Sequence, residues 1–238
     1  MLPQKKLVTT ALDEVGYIGH RSAAQLDEPA ANPGGKFTKY ARDLDALGDF
    51  YNGPKQGFDW CDQYVDWCFV QAFGRELAQK MTFQPDRSCG AGVGYSLGYY
   101  KSHGRFFSTP EEADQIFFGD DKSTWHTGIV SRVTGGTVCT VEGNAGSPVG
   151  VHEFCYPLSC KDIKGYGRPD WSIVPAEPEK TEAGITVYKT LDDVPSWAKS
   201  AVRKCVEKGA LRGNGGGLNL SYDLCRTLVV LNRLGKLD

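Results

Sequence analysis

The chain has 238 residues, of which 40% are hydrophobic and 24% charged, and a formal net charge of −2. That is enough apolar material for one generous core plus a small appendage, and the charge balance argues against a basic nucleic-acid binder. No run of about 18 apolar residues is present, which excludes a membrane-spanning helix. The opening Met1-Leu2-Pro3-Gln4-Lys5-Lys6 has no apolar stretch behind it, so no secretory signal is read there and synthesis in the cytoplasm is expected.

Leu7, Ala11 and Val15 fall on one face of a first helix that ends at Gly16-Tyr17-Ile18-Gly19. Residues 32–57 are rich in Gly, Asn, Asp and aromatics, a loop-rich approach with one short helix near Tyr40-Ala41-Arg42. Asp43, Asp45 and Asp49 lie in it without the ligand spacing of a calcium loop, and they read as a solvated acidic face. No metal is expected. From Asp59-Trp60-Cys61 onward, Cys61, Tyr64, Val65, Cys68 and Ala72 recur at helical spacing up to Gly74. A cysteine therefore opens a helix, where unpaired backbone N–H groups and the helix dipole favour the thiolate. The alternative for any such cysteine is a small buried hydrophobe.

Residues 89–107 are rich in Gly and Tyr, suiting either a flexible surface for sugar or peptide contact or turns packed on the core. After Pro110 the periodicity becomes two, which predicts antiparallel strands at 115–118, 127–133 and 137–142, with short ones near 150–154 and Tyr166. With Thr134-Gly135-Gly136 as a three-residue turn, Val133 pairs with Thr137, and His126, Glu142 and Asn144 share one face. A two-residue turn separates His126 from the other two unless a bulge intervenes.

The eight cysteines are scattered, with no zinc-ligand grouping, and reduced buried thiols are expected. Cys155 and Cys160 are the closest pair. Residues 171–182 carry the proline and charge of a linker. The expected organisation is thus a domain over 1–174, a linker over 175–186 and a tail over 187–238. In the tail, Trp197, Ala201, Val202, Cys205 and Val206 mark one helix closed by Gly209. Leu224, Cys225, Leu228 and Leu231 mark another, capped by Ser221 and closed by Gly235.

Amide hydrolysis by cysteine needs a sulfur nucleophile, an imidazole and a polar side chain that orients it. Cys61, His126 and Glu142-Gly143-Asn144 supply these types. Trp60-Cys61 with Tyr64-Val65 and Trp67, then Asp114-Gln115-Ile116-Phe117-Phe118, His126-Thr127-Gly128-Ile129-Val130, Val141-Glu142-Gly143-Asn144 and Gly165-Tyr166-Gly167-Arg168-Pro169 resemble, in order, the CHAP domain. That is the cysteine, histidine-dependent amidohydrolase/peptidase module. The resemblance implies an α+β, papain-like fold related to NlpC/P60, with N-terminal helices packed on an antiparallel sheet, here followed by a small helix-loop-helix.

It also implies hydrolysis of peptidoglycan, with Cys61 as nucleophile, His126 as base, and Glu142 and Asn144 orienting the imidazole or stabilising the transition state. Trp60, Trp125 and Tyr95 are candidates for the substrate groove, and Gln56 for a further oxyanion donor. The chain departs from the family where Glu112-Ala113, rather than Pro-Gly, precedes Asp114. It also lacks the acidic calcium cluster of some members, so no cofactor is expected, calcium having no clear motif. The expected partner is bacterial peptidoglycan, with no nucleic acid and no membrane insertion, and the expected place of action is the cell wall, reached by release or by another export route. A non-catalytic wall-binding module and a cysteine acyltransferase are the alternatives. The tail is similar to C-terminal segments of phage and mobile-element wall hydrolases.

Overall fold

A computed structural model describes residues 2–85, 90–175, 188–213 and 217–237. They form two compact units, 1–175 and 176–238. The predicted linker falls, apart from Pro175, outside the described residues.

The first unit begins with α1 (Pro3–Leu12), which starts on a proline at its first turn and buries Leu7, Val8 and Ala11, followed by α2 (Lys39–Ala46), capped by the Thr38 hydroxyl. Then come α3 (Cys61–Phe73), α4 (Arg75–Met81) and α5 (Val93–Ser102). Strands β1 (Phe106–Phe107), β2 (Gln115–Gly119), β3 (Thr124–Thr134), β4 (Thr137–Ala145), β5 (Gly150–Pro157) and β6 (Ile163–Gly167) complete it. They make one antiparallel sheet in the order β1-β6-β2-β3-β4-β5. The architecture is α+β and consistent with the papain-like arrangement.

Helix α3 is buried on nearly every face, which fits its mostly apolar sequence. It lies against β3 and β4 and packs with α1, α2, α4 and α5. Its contact with the sheet is close at Gly143, where any Cβ would stand 2.6 Å from Tyr64 Cβ. An aromatic cluster of Tyr17, Tyr40, Trp60, Tyr64 and Trp67 fills the space between α2, α3 and the preceding loop.

The glycine- and tyrosine-rich stretch is α5 rather than a flexible surface. Val93, Leu97 and Tyr100 recur on one face and are buried, and that burial outweighs the low helix propensity of Gly94 and Gly98. Cys139 and Cys155 stand directly opposite one another on β4 and β5 and are joined by a disulfide, which corrects the expectation of reduced thiols. Cys160 is free.

The second unit holds α6 (Ser196–Glu207) and α7 (Tyr222–Arg233). The Ser221 hydroxyl accepts from Leu224 N–H, and Gly235 at φ 64° follows the last turn. Val194, Ala198, Val202, Cys205, Cys225 and Leu228 form its core. Among the described residues no helix is long and apolar enough to cross a membrane.

Candidate active site

The site is built by the β3–β4 hairpin. Its turn is the two-residue Gly135-Gly136, with Thr134 paired to Thr137 and Val133 to Val138, not the predicted three-residue loop. Both glycines have positive φ, 54° and 85°, as the primed turn that matches strand twist requires. Unbroken, that register would place His126 and Glu142 on opposite faces. A bulge at Ser131 shifts it by one, so that Ile129 pairs with Val141 and the polar residues return to one face.

Gly128 then lies opposite Glu142. A Cβ there would stand 2.6 Å from Glu142 Cγ, so only glycine leaves room for the carboxylate to cross toward His126. Glu142 Oε2 is 2.8 Å from His126 Nε2. Its other oxygen accepts from the Thr140 hydroxyl at 2.6 Å and the Tyr156 hydroxyl at 3.0 Å. The carboxylate is 2% exposed and held from three sides, so it fixes the imidazole's orientation. An ionised carboxylate can only accept, which puts the proton on Nε2 and leaves Nδ1 as the basic lone pair. Phe118 packs on the imidazole with ring centroids 5.7 Å apart.

Cys61 is the first residue of α3 and lines the same groove as His126, Glu142 and Asn144. Backbone N–H groups of Asp62 and Thr127 are directed at its sulfur, and that contact brings the sulfur beside the residue that follows His126. The expected thiolate is not the resting form. Cys61 is 5% exposed, and burial, reinforced by the charges of Asp62 and Asp59, pushes the thiol up to about 12 against the pull of those N–H groups. Desolvation outweighs the helix-end effect, so burial favours the thiol over the thiolate.

The groove has a volume of about 640 Å³, with Trp125, Phe118, Phe154 and Tyr156 as aromatic walls and Asp59, Asn144 and Asp162 as polar lining. Asn144, at φ 58°, donates through its amide to Asp59 Oδ1 at 3.2 Å rather than to His126. Lys36 pairs with Asp59 and holds its carboxyl below the usual range.

Three sequence-derived positions lie elsewhere. Trp60 is fully buried in the aromatic cluster, because its helix-start position turns the indole inward. Gln56 is occupied with Thr38, donating to its carbonyl and accepting from its N–H, and does not reach the sulfur. Tyr95 is exposed on α5 against Gly90 and Gly92, outside the groove lining. Trp125 does line the groove and is half exposed.

Sequence reasoning missed Thr140, Phe154 and Tyr156. The alternation of Phe154 and Tyr156 on β5 is the only local sign of them.

The family model for the CHAP domain, a cysteine/histidine-dependent amidohydrolase/peptidase domain, matches residues 53–144. Over those residues the chain is similar to the CHAP domain. The match runs from the loop before α3 to Asn144, so β5, which supplies Tyr156 to Glu142, lies outside the matched span. No curated protein and no solved structure matches the chain. Among the described residues no group of three or more His, Cys, Asp or Glu is placed to hold a metal. A second cavity of about 550 Å³, lined by Asp45, Tyr51 and Asn52 among others, contains neither cysteine nor histidine.

Proposed function

We propose that this CHAP domain is a peptidoglycan hydrolase, endolysin-like in action, that cleaves an amide bond of the stem peptide or cross-bridge through a Cys61 thioester. The observation that supports this most is the His126–Glu142 pair at 2.8 Å in the groove that Cys61 lines. Cys61 starts as a neutral thiol. His126 Nδ1 takes its proton as sulfur attacks the carbonyl, then returns it to the leaving amine. Water enters next, His126 removes its proton, and the thioester is hydrolysed.

The N–H groups at the start of α3 are suited to hold the oxyanion, and the Asn144 amide, which lines the same groove, is a candidate further donor where Gln56 is not. Glu142 keeps the imidazole in the reactive tautomer and stabilises its cationic form. The protein is read as acting at the cell wall after release, with the second unit contributing wall affinity. Mass spectrometry of digested sacculi tests the reading. New amine termini in stem peptides or cross-bridges, absent with Cys61→Ala, are expected. Cleavage of glycan linkages alone would refute it.

A further inference from the structure

Behind the sulfur lies a buried polar chain that the chemistry above does not use. Asp62, the residue after Cys61, is 1% exposed. Its Oδ2 accepts from the Ser96 hydroxyl of α5 at 2.8 Å, and its Oδ1 accepts from Gln115 Nε2 of β2 at 3.1 Å. The same Gln115 nitrogen donates to Thr127 Oγ1 of β3 at 3.0 Å, and that hydroxyl donates to the Ile116 carbonyl at 2.7 Å. Gln115 and Thr127 are 1% and 0% exposed. Each is therefore a polar group taken out of water at a cost that only its partners offset. A core with apolar side chains at these positions would avoid that cost, so the chain of contacts calls for a role other than filling space.

Its ends supply one. One end is the residue next to the nucleophile, and the other is the residue next to His126, whose own N–H is directed at the Cys61 sulfur. Apolar packing between α3 and β3 is non-directional and tolerates sliding. Hydrogen bonds from a planar carboxylate through a planar amide to a hydroxyl do not.

We propose that Asp62, Gln115 and Thr127 are positioning residues that clamp the start of α3 to β3 and so set the placement of the Cys61 sulfur against His126 and the Thr127 N–H. The inference rests on the assignment of Cys61 and His126 above. Thr127→Val keeps the shape and removes the hydroxyl, Gln115→Met removes the same hydrogen bond from its other end, and Thr127→Ser retains it. Misplacement of a reacting atom by a fraction of an ångström lowers turnover without lowering binding.

The experiment compares, in the full chain, the melting temperature, kcat and KM on a soluble muropeptide, and the rate of Cys61 labelling by iodoacetamide located by peptide mass. Thr127→Val and Gln115→Met are each expected to lower kcat and Cys61 labelling by about tenfold. KM should stay within about twofold, the double variant should be no worse than either, and Thr127→Ser should restore both rates. Wild-type labelling and wild-type kcat per folded molecule in both variants would overturn the proposal, as would a kcat loss that merely follows the folded fraction. Should Thr127→Val fail to fold, Gln115→Met decides alone. Turnover surviving Cys61→Ala would instead strike the assignment of the nucleophile, an outcome separate from these.

Discussion

Glu142 Oε2 meets His126 Nε2 at 2.8 Å although the strands that carry them are joined by a turn of only two residues. Alternation along a strand forbids that contact in a regular hairpin of this length. Ser131, unpaired between Val130 and Arg132, supplies the extra residue that makes it possible.

The contact predicts the behaviour of Glu142→Gln. The amide keeps the shape and the bonds from Thr140 and Tyr156 but loses the charge that stabilises imidazolium. It can also present its NH₂ to Nε2, selecting the tautomer with the proton on Nδ1, where the base is needed. We expect kcat to fall by roughly 10²- to 10⁴-fold, with melting temperature changed little. A loss under threefold would show that the carboxylate does not act through His126.

Cys61 and Cys68 lie two turns apart on α3 and separate chemistry from packing. Cys61 lines the groove, whereas Cys68 is completely buried beside Tyr64, where no substrate reaches. Cys61→Ala should abolish lysis in a folded protein. Cys68→Ala should keep the turnover of the folded fraction and lower stability by about 1 kcal/mol. Chemical denaturation with parallel turbidity assays on cell walls distinguishes the two.

The tryptophans divide in the same way. Trp60 is fully buried, so Trp60→Ala leaves a large cavity and should cost about 3 to 5 kcal/mol. Trp125 is half exposed in the groove, so Trp125→Ala should raise KM severalfold while leaving the melting temperature within about 2 °C. If Trp125→Ala proved as destabilising as Trp60→Ala, the aromatic wall assigned to Trp125 would be wrong.

Much of the layout was legible because local signals and burial agree. The α3 face runs from Cys61 to a terminating Gly74, and Ser221 caps α7 as its position suggests. The hairpin shows where such reading stops. Strand parity requires an odd residue between His126 and Glu142, but nothing in the sequence marks Ser131 as the one that takes it. The glycine pair was a two-residue turn signal in its own right. Helix α5 is not legible locally, because its glycines mask an apolar stripe that only tertiary packing rewards. The Cys139–Cys155 pair is 16 residues apart and becomes visible only when strand register sets the two opposite each other. Trp60 and Gln56 precede Cys61 closely, but closeness along the chain does not fix which way a side chain turns.

The buried carboxylates make stability depend on pH. Asp62 is pushed up to about 6 by burial, against the bonds from Ser96 and Gln115. Asp66, four residues on and bonded to the Tyr51 hydroxyl at 2.6 Å, is raised further by burial and by the Asp62 charge. The folded-state value for Asp62 lies above the ordinary 3.8, so between about pH 4 and 6 the folded protein binds more protons than the unfolded chain. Stability therefore falls as pH rises through that window and stays lower above it. Asn at this position keeps an acceptor for Gln115 and a partner for Ser96 without the charge, so Asp62→Asn should match the parent at pH 4 and exceed it at pH 8. The gain should be on the order of 1 to 3 kcal/mol. His20, which burial pulls below its usual value, acts in the opposite direction, but it is present in both proteins and drops out of their difference. The Asp62 charge also raises the Cys61 thiol, so the variant should label with iodoacetamide at a lower pH than the parent. Urea denaturation at pH 4, 6 and 8 measures the first effect and the pH profile of labelling the second. A variant less stable than the parent at pH 8 would mean that Asp62 is stabilised as an anion by its partners and that the acid pair does not store this energy.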